Sequence, residues 1–244
     1  MPQFIAYYNY RTGSPGGGLI TYIKLHIPTS LIETKITNGA GQPEWIITDI
    51  YLTKRIRIIN VYFSPQANNH LTESILNRND HFTTIICGDF NAHNTMWGNS
   101  STDVRGRIIA DHLMSTDTIL LNDGQFTYYN PKGNKTAIDL TLVTNDIATL
   151  ANWNPLSLFC GSHYRKIETD FSNIRTGKLK ANNQTHTSTY INISQTFIFW
   201  ATHTDWTYDD FINKYKELTY TLINRNHVHR ATSPRAGITN ANGN

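Results

Sequence analysis

The chain has 244 residues, of which 39% are hydrophobic, 11% aromatic and 16% charged, and its formal net charge is +3. This composition excludes a wholly disordered chain, and no segment approaches the roughly 18 consecutive apolar residues that span a bilayer. Two cysteines are too few for a disulfide framework or a cysteine-only zinc site. The excess positive charge lies after residue 171, because residues 1–171 carry a net charge of −1. Overall basicity is therefore a weak argument for nucleic-acid binding.

Short β-rich segments with a few helical ones between them predict an α/β or α+β layered domain over residues 1–171. Apolar residues at helical spacing predict helices over 69–80 and 103–114. Alternating or continuously apolar runs predict strands, in chain order, over 19–26, 45–52, 56–63, 83–87, 119–121, 126–129, 138–143 and 156–159. Only three residues separate the second and third of these strands, which indicates a hairpin.

The pattern weakens after Phe171, and residues 172–244 are predicted to form a separate basic region. Residues 172–194 are polar and rich in Asn and Thr, which is typical of a linker. Residues 200–225 contain an aromatic cluster and a candidate amphipathic helix, whereas 231–244 has the composition of a disordered end.

The strongest local signal for chemistry is the segment Ile-Ile-Cys-Gly-Asp-Phe-Asn-Ala-His at residues 85–93. An apolar strand ends at Gly88 and delivers Asp89 and Asn91 into the following loop, with both side chains on one side. The carboxylate can orient or deprotonate a water molecule, and the amide can donate to a phosphate oxygen. The alternative is an Asp/Asn turn that only caps the strand, and the motif alone leaves both interpretations open.

Three more polar residues interrupt or follow predicted strands. Asp139 lies in an otherwise buried pattern, where a carboxylate is costly unless it is paired or binds a metal, although an edge-strand acid facing water is the alternative. His163 follows the 156–159 strand and can reach a site shared with Asp139, but a lone histidine is more often an ordinary core or surface residue. Tyr62 is the weakest signal, since tyrosine in a strand mostly packs.

The order of these pieces resembles the endonuclease/exonuclease/phosphatase superfamily. Strands carrying Tyr-x-x-Pro, Gly-Asp-x-Asn and Asp-Leu-x-Leu are followed by a strand and Ser-His. Within that superfamily, residues 88–98 (Gly-Asp-Phe-Asn-Ala-His-Asn-Thr-Met-Trp-Gly), 103–106 (Asp-Val-Arg-Gly) and 121–128 resemble the endonuclease domain of non-LTR retrotransposons of the jockey-like and R1-like type. The resemblance runs from about Tyr7 to about Asp170.

The resemblance implies a DNase I-like fold, a four-layer α/β sandwich in which two packed mixed β-sheets are flanked by helices. It implies phosphodiester hydrolysis with Mg²⁺ or Mn²⁺ by a domain that nicks DNA, so that the exposed 3′ end primes a reverse transcriptase of the same polyprotein. The implied location is nuclear during action on DNA and otherwise cytoplasmic; no secretory signal is readable at the N-terminus.

The resemblance also assigns roles by motif. Asp89 and Asn91 match the metal-binding, water-orienting and phosphate-binding pair, and Tyr62 matches the tyrosine on the phosphate side. Asp139 matches the acid that supports the catalytic histidine, which His163 matches. The same motifs supply four candidate substrate contacts: His93, Trp97, Arg105 and Thr127.

Two departures from the family pattern lead us to expect a truncated and catalytically impaired copy. Family members begin with an Asn-bearing strand, a helix and a strand ending in a metal-binding Glu; these have no counterpart here, and neither Glu33 nor Glu44 lies in a matching motif. The family's Ser-Asp-His reads Gly-Ser-His at residues 161–163. Losing carboxylates weakens Mg²⁺ binding, because few direct contacts hold that ion. Two alternatives remain open: a phosphatase or lipid phosphodiesterase of the same superfamily, and a remnant that binds DNA without cutting it.

Overall fold

The computed structural model describes residues 4–10, 18–35, 41–79, 82–130, 132–157, 163–171 and 191–195. All of these lie in the first of the two units into which the chain divides, Met1–Thr202. No helix within the described ranges is long and apolar enough to cross a membrane.

The described ranges contain three α-helices and a larger number of short strands. The helices are α1 (His70–Leu76), α2 (Val104–Ser115) and α3 (Asn145–Ala148). The strands are β1 (Phe4–Tyr10), β2 (Gly18–Lys24), β3 (Thr29–Lys35), β4 (Glu44–Tyr51), β5 (Arg55–Tyr62), β6 (Thr83–Asp89), β7 (Thr118–Leu120), β8 (Tyr128–Tyr129), β9 (Lys135–Thr136), β10 (Asp139–Thr144), β11 (Ala151–Pro155), β12 (Ile167–Phe171) and β13 (Ile191–Gln195).

The main structural element is a six-stranded mixed sheet with the order β3-β4-β5-β6-β10-β7. β5 and β6 run parallel, and the other neighbours are antiparallel. The central strands are buried on both faces, which explains the continuous apolar runs in the sequence: in β4 every residue except Tyr51 is buried. Three smaller sheets accompany it, formed by β1-β2, by β11-β12-β13 and by β8-β9.

Each face of the main sheet has its own apolar core. On the helical side, residues from β4, β5, β6 and β10 pack against α1, α2 and the loop after β6; the largest are Trp45, Phe63, Phe90 and Trp97. On the other side, Ile58, Ile85 and Val143 pack with Ile23 of β2 and Phe171 of β12. Burial of these side chains supplies the main driving force for assembling the layers.

The mixed α/β class is confirmed, but the expected second large sheet is not clearly formed within the described ranges. Two smaller sheets, β1-β2 and β11-β12-β13, occur instead. The hairpin of β4 and β5 and the two predicted helices are confirmed, although α1 is shorter than predicted and continues only as a 3₁₀ turn over Asn77–Asn79.

Several strand predictions were wrong in position. Of the strand predicted over 156–159, Leu156 and Ser157 are not in a strand, and residues 158 and 159 lie outside the described residues. A strand precedes them at Ala151–Pro155. The sequence pattern did not predict this strand, because its central Asn-Trp-Asn has polar residues at the alternate positions that face water. Of the strand predicted over 126–129 only Tyr128–Tyr129 is observed. The predicted 172–194 linker contains most of β13, which pairs with β12; the rest of it, and the helix and disordered end predicted after residue 200, lie outside the described residues.

Candidate active site

A row of polar residues crosses four neighbouring strands of the main sheet. Glu44 pairs with Tyr62, Tyr62 with Asp89, and Asp89 with Asp139. Directly paired residues point to the same face of a sheet, so all four lie on the face that packs against β2 and β12. Glu44, Asp89 and Asp139 are each at most 1% exposed. The sequence therefore places three buried acids along one rim of an apolar core.

Asp89 is held by hydrogen bonds on both carboxylate oxygens. Its Oδ1 accepts the backbone N–H of Asn91 at 2.8 Å, and its Oδ2 accepts the phenol O–H of Tyr164 at 3.1 Å. Burial raises the pKa of Asp89 to about 7, although both hydrogen bonds and the charge of Arg105 oppose that rise. The desolvation of this carboxylate thus outweighs its partners.

Asp139 lies beside Asp89, but its carboxylate has fewer hydrogen-bond partners. Neither of its carboxylate oxygens makes a hydrogen bond of normal geometry within the described residues. Burial and the charge of Asp89 raise the pKa of Asp139 well above its usual range, which the hydroxyl of Thr127 offsets only in part. Two adjacent buried acids without a cation favour a shared proton or an added positive charge.

Asn91 adopts a backbone conformation that few residues tolerate. Its φ is 43°, the only positive φ among the described non-glycine residues, and asparagine is one of the residues that enter this region most readily. Its Nδ2 donates to the Phe63 carbonyl at 2.8 Å, and Phe63 N donates to the Asp89 carbonyl at 2.8 Å. These bonds join the loop after β5 to the loop after β6. The backbone of Asn91 is thereby fixed next to the Asp89 carboxylate.

The backbone geometry at position 88 explains why a glycine precedes Asp89. The φ of Gly88 is 154°, and a Cβ there would lie 1.9 Å from the Val61 carbonyl oxygen on β5. Only the absence of a side chain lets β5 and β6 approach at this level. The close approach sets the level at which Tyr62 and Asp89 are paired.

The buried side chain of Arg105 joins the same two loops by hydrogen bonds. Its guanidinium donates to the carbonyls of Phe90 (2.7 Å), Asn91 (3.1 Å), Ser64 (3.3 Å) and Ala67 (2.8 Å). Arg105 is 3% exposed, so its donors serve the backbone of the protein. A planar fork of donors suits this task, since one cation can satisfy carbonyls of both loops.

His93 forms an acid–imidazole pair with Asp103. Its Nδ1 lies 3.0 Å from Asp103 Oδ2, the oxygen that also accepts the His93 backbone N–H at 3.0 Å. The other oxygen of Asp103 caps α2 by accepting the Gly106 N–H at 2.6 Å. A Cβ on Gly106 would lie 1.9 Å from the His93 carbonyl oxygen, which accounts for the Asp-x-x-Gly spacing.

The four candidate substrate contacts are not equally accessible. Trp97 and Thr127 are completely buried: Trp97 Nε1 donates to the Ala92 carbonyl, and Thr127 Oγ1 accepts the N–H groups of Ile138 and Asp139. Arg105 is buried as described above. Of these four, only His93 presents part of its side chain to solvent in this conformation.

His163 and its neighbour Tyr164 occupy opposite sides of their segment. Backbone bonds from Tyr129 N to the His163 carbonyl (2.8 Å) and from Arg165 N to the Thr127 carbonyl (2.7 Å) fix the register. Tyr164 turns inward, 7% exposed, and its ring packs 4.7 Å from that of Tyr128. His163 is exposed, and no hydrogen bond joins it to Asp139 within the described residues. The structure therefore brings Tyr62, Asp89, Asn91 and Asp139 together and adds Tyr164, whereas His163 lies apart.

The donor set suits a hard divalent cation only in part. Asp89, Asp139 and the Asn91 amide supply oxygen atoms, which Mg²⁺ prefers, and the orphaned oxygens of buried Asp139 are groups that a cation would neutralise. No cluster of three or more His, Cys, Asp or Glu side chains suited to a metal occurs in the described part of the chain. These residues therefore fit a cation held through two carboxylates and otherwise by water or substrate.

Comparison with known proteins agrees with this architecture. Residues 56–167 match the family model described as endonuclease-reverse transcriptase. A similar fold occurs in a solved structure, the endonuclease domain of TRAS1, a telomere-specific non-LTR retrotransposon, with a TM-score of 0.56 and 18% sequence identity over 68% of this chain and 76% of that one. No curated protein matches the chain.

The fold is of the DNase I-like class. The family-model match assigns residues 56–167, just under half of the chain, to an endonuclease–reverse transcriptase domain. The matched stretch contains all five residues to which the motifs assigned a catalytic role.

Sequence reasoning set Glu44 aside because no matching motif surrounds it, and it missed Tyr164. Glu44 could have been found by counting back along β4 to the residue opposite Tyr62, but the register of a hairpin depends on its turn. Tyr164 was hidden because it directly follows the histidine of a recognisable motif. Only the backbone pairing of residues 163–165 with 127–129 shows which of the two neighbours faces inward.

Proposed function

We propose that this domain is a Mg²⁺-dependent phosphodiesterase that nicks DNA, of the kind that primes reverse transcription in a non-LTR retrotransposon. The observation that carries the proposal is the direct pairing of buried Asp89 and Asp139 with Asn91 fixed beside them. Family membership supports an endonuclease; the metal, the DNA and the reverse transcriptase partner are parts of the proposal.

The residues divide the chemistry of hydrolysis between them. Asp89 and Asp139 provide the negative charge that binds a cation, which when bound neutralises the phosphate and lowers the pKa of water. Asp89 is fixed in orientation and can align a water for attack on phosphorus. One Asn91 N–H is engaged by Phe63, so the amide is held rigidly and its second N–H can donate to a phosphate oxygen.

A basic and aromatic hairpin beside the acids favours a nucleic acid over a small phosphate ester. In β8, β9 and the residues before them, Lys135 lies over the rings of Phe126 (4.8 Å) and Tyr129 (5.3 Å). Exposed Lys132 extends the positive charge into the turn. Lysines next to aromatic faces suit a phosphate backbone and its bases. Action on chromosomal DNA would require the protein to be in the nucleus. At other times we expect it in the cytoplasm.

The proposed activity is weak. Only two carboxylates converge in the described part of the site, and the family's Ser-Asp-His motif lacks its acid in this chain. Mg²⁺ keeps several of its waters and is usually held by one or two carboxylates together with substrate phosphates, so we expect a site with two carboxylates to hold the ion mainly once DNA is bound.

A plasmid assay separates this proposal from its two alternatives. With the full chain and Mg²⁺, we expect slow conversion of supercoiled to nicked DNA that is lost in EDTA and in Asp89→Asn, but retained in Asp111→Asn, which changes an exposed acid on α2. Salt-dependent DNA binding without nicking would favour a DNA-binding remnant. Phosphate release from an inositol phosphate, without nicking, would favour the phosphatase alternative.

A further inference from the structure

We propose that Tyr164 is a positioning residue for Asp89, and that it occupies the place beside the acids that the sequence motif had given to His163. The inference rests on the proposed phosphodiesterase function, since it assigns a part in that site. It is carried by the phenol O–H that donates to Asp89 Oδ2 at 3.1 Å, in a side chain that is only 7% exposed.

The backbone determines this placement. The bridge between Tyr128 and Tyr164, with the flanking bonds to Thr127 and Tyr129, aligns residues 163–165 antiparallel to 127–129. Thr127 in turn accepts the N–H of Asp139, so the segment that carries Tyr164 is tied to the strand that carries the second acid. Side chains alternate along such a segment, and the inward position therefore goes to Tyr164 and the outward one to His163.

The contact has a specific consequence for the two acids. With Asn91 N–H on Oδ1 and Tyr164 O–H on Oδ2, the Asp89 carboxylate cannot rotate about its Cβ–Cγ bond without losing a hydrogen bond. Asp139 makes no comparable bonds with its carboxylate oxygens within the described residues. One acid is thus held in a fixed orientation and the other can adapt. A phenol does this without adding the positive charge that an imidazolium would bring to the site.

Tyr164→Phe tests the role, because it removes the O–H and keeps the ring that packs on Tyr128. Tyr51→Phe is the matched control, because it removes the phenol O–H of an exposed tyrosine at the end of β4, away from the acids. The full chain is assayed for Mg²⁺-dependent nicking and, without DNA, for Mn²⁺ binding by electron paramagnetic resonance, with thermal melting to verify folding. For Tyr164→Phe we expect kcat to fall about tenfold or more, as for a lost hydrogen bond to a carboxylate, with KM for plasmid changed less than about twofold.

Mn²⁺ affinity should weaken in Tyr164→Phe by about the same order and stay unchanged in Tyr51→Phe. The Mn²⁺ measurement distinguishes the two proposals. A wild-type chain that does not nick, yet binds Mn²⁺ more tightly than Tyr164→Phe, removes the nicking function and keeps the assignment of Tyr164. Equal Mn²⁺ affinity in wild type and a folded Tyr164→Phe, including no binding by either, overturns the assignment. Nicking by Tyr164→Phe at the full wild-type rate also overturns it.

Discussion

Asp89 and Asp139 are directly paired residues of neighbouring antiparallel strands, and both are almost completely buried. Burial raises the pKa of both carboxyl groups, and the charge of Asp89 raises the pKa of Asp139 further. Such a pair is a poor choice for stability alone. The proposed cation site gives a reason for such a pair at the rim of a well-packed core, because a bound cation would neutralise both carboxylates.

The raised pKa values predict an unusual dependence of stability on pH. Asp89 has a pKa of about 7 in the folded chain against 3.8 as its ordinary value, so between these limits the folded state binds the extra proton. Without metal, the free energy of unfolding should therefore rise as pH falls from about 8 towards 5, by up to the order of 1 kcal/mol per pH unit for this group.

In Asp139→Asn the free energy of unfolding should depend less on pH than in the wild type. The variant should also be more stable at pH 8 by at least about 1 kcal/mol, because the substitution removes a buried charge. Denaturant unfolding in EDTA at several pH values measures both effects. Asp111→Asn on the surface of α2 is the control and should leave the profile unchanged. Lower stability of the wild type at pH 5 than at pH 8, with no change in Asp139→Asn, would contradict the raised pKa values.

Arg105 should be a major contributor to stability. Arg105→Ala removes the donors to four backbone carbonyls and should lower the free energy of unfolding by about 3 kcal/mol or more, measured by urea denaturation. The free energy of unfolding of Arg105→Lys should lie between those of the wild type and Arg105→Ala, since one ammonium cannot span both loops. Arg107→Ala, on the exposed side of α2, should stay within about 0.5 kcal/mol of the wild type. A stable Arg105→Ala chain with normal unfolding would argue against this role.

Two substitutions at Asn91 separate backbone strain from chemistry. Asn91→Gly and Asn91→Ala both lose the amide and should both abolish Mg²⁺-dependent nicking. Only Asn91→Ala must hold a Cβ at a φ of 43°, so it should be less stable than Asn91→Gly by about 1 kcal/mol in thermal or urea unfolding. Nicking by either variant at the wild-type rate would exclude the amide from the reaction.

The basic hairpin should determine how DNA binding depends on salt. Lys132→Ala with Lys135→Ala should weaken binding to DNA of any sequence, and should reduce the slope of log K against log salt by about 0.9 for each lysine that contacts a phosphate. Fluorescence anisotropy at several salt concentrations measures the slope. Lys24→Ala, exposed at the end of β2, is the matched charge control. An equal change in Lys24→Ala would mean that charge acts only globally.

Restoring the acid of the family motif should strengthen a weak site. Ser162→Asp gives residues 161–163 the sequence Gly-Asp-His, and we expect it to increase Mn²⁺ affinity and the nicking rate several-fold, because an added carboxylate attracts the cation. Ser162→Asn is the neutral control. No gain from Ser162→Asp over Ser162→Asn would contradict the view that missing acids limit this chain.

The sequence predicted the central strands and the Asp89–Asn91 loop well because their signals are local. β5 and β6 are continuous apolar runs, and the residues after β6 carry their own turn and capping chemistry. β1, β3 and β11 were missed or misplaced because their residues are largely half-exposed or exposed and lack a regular apolar pattern. The inward turn of Tyr164 and the row from Glu44 to Asp139 depend on pairing between distant strands, which no local pattern encodes.

The most direct test of the proposed phosphodiesterase is the single-turnover nicking rate of supercoiled plasmid as a function of Mg²⁺ concentration, for the wild type and for Asp139→Asn. The proposed site predicts a slow wild-type rate that rises with Mg²⁺ without saturating at low millimolar concentrations, and no Mg²⁺-dependent rate for Asp139→Asn. Nicking that is independent of Mg²⁺, or that is equal in the two proteins, would contradict a metal-dependent site built on the two paired acids.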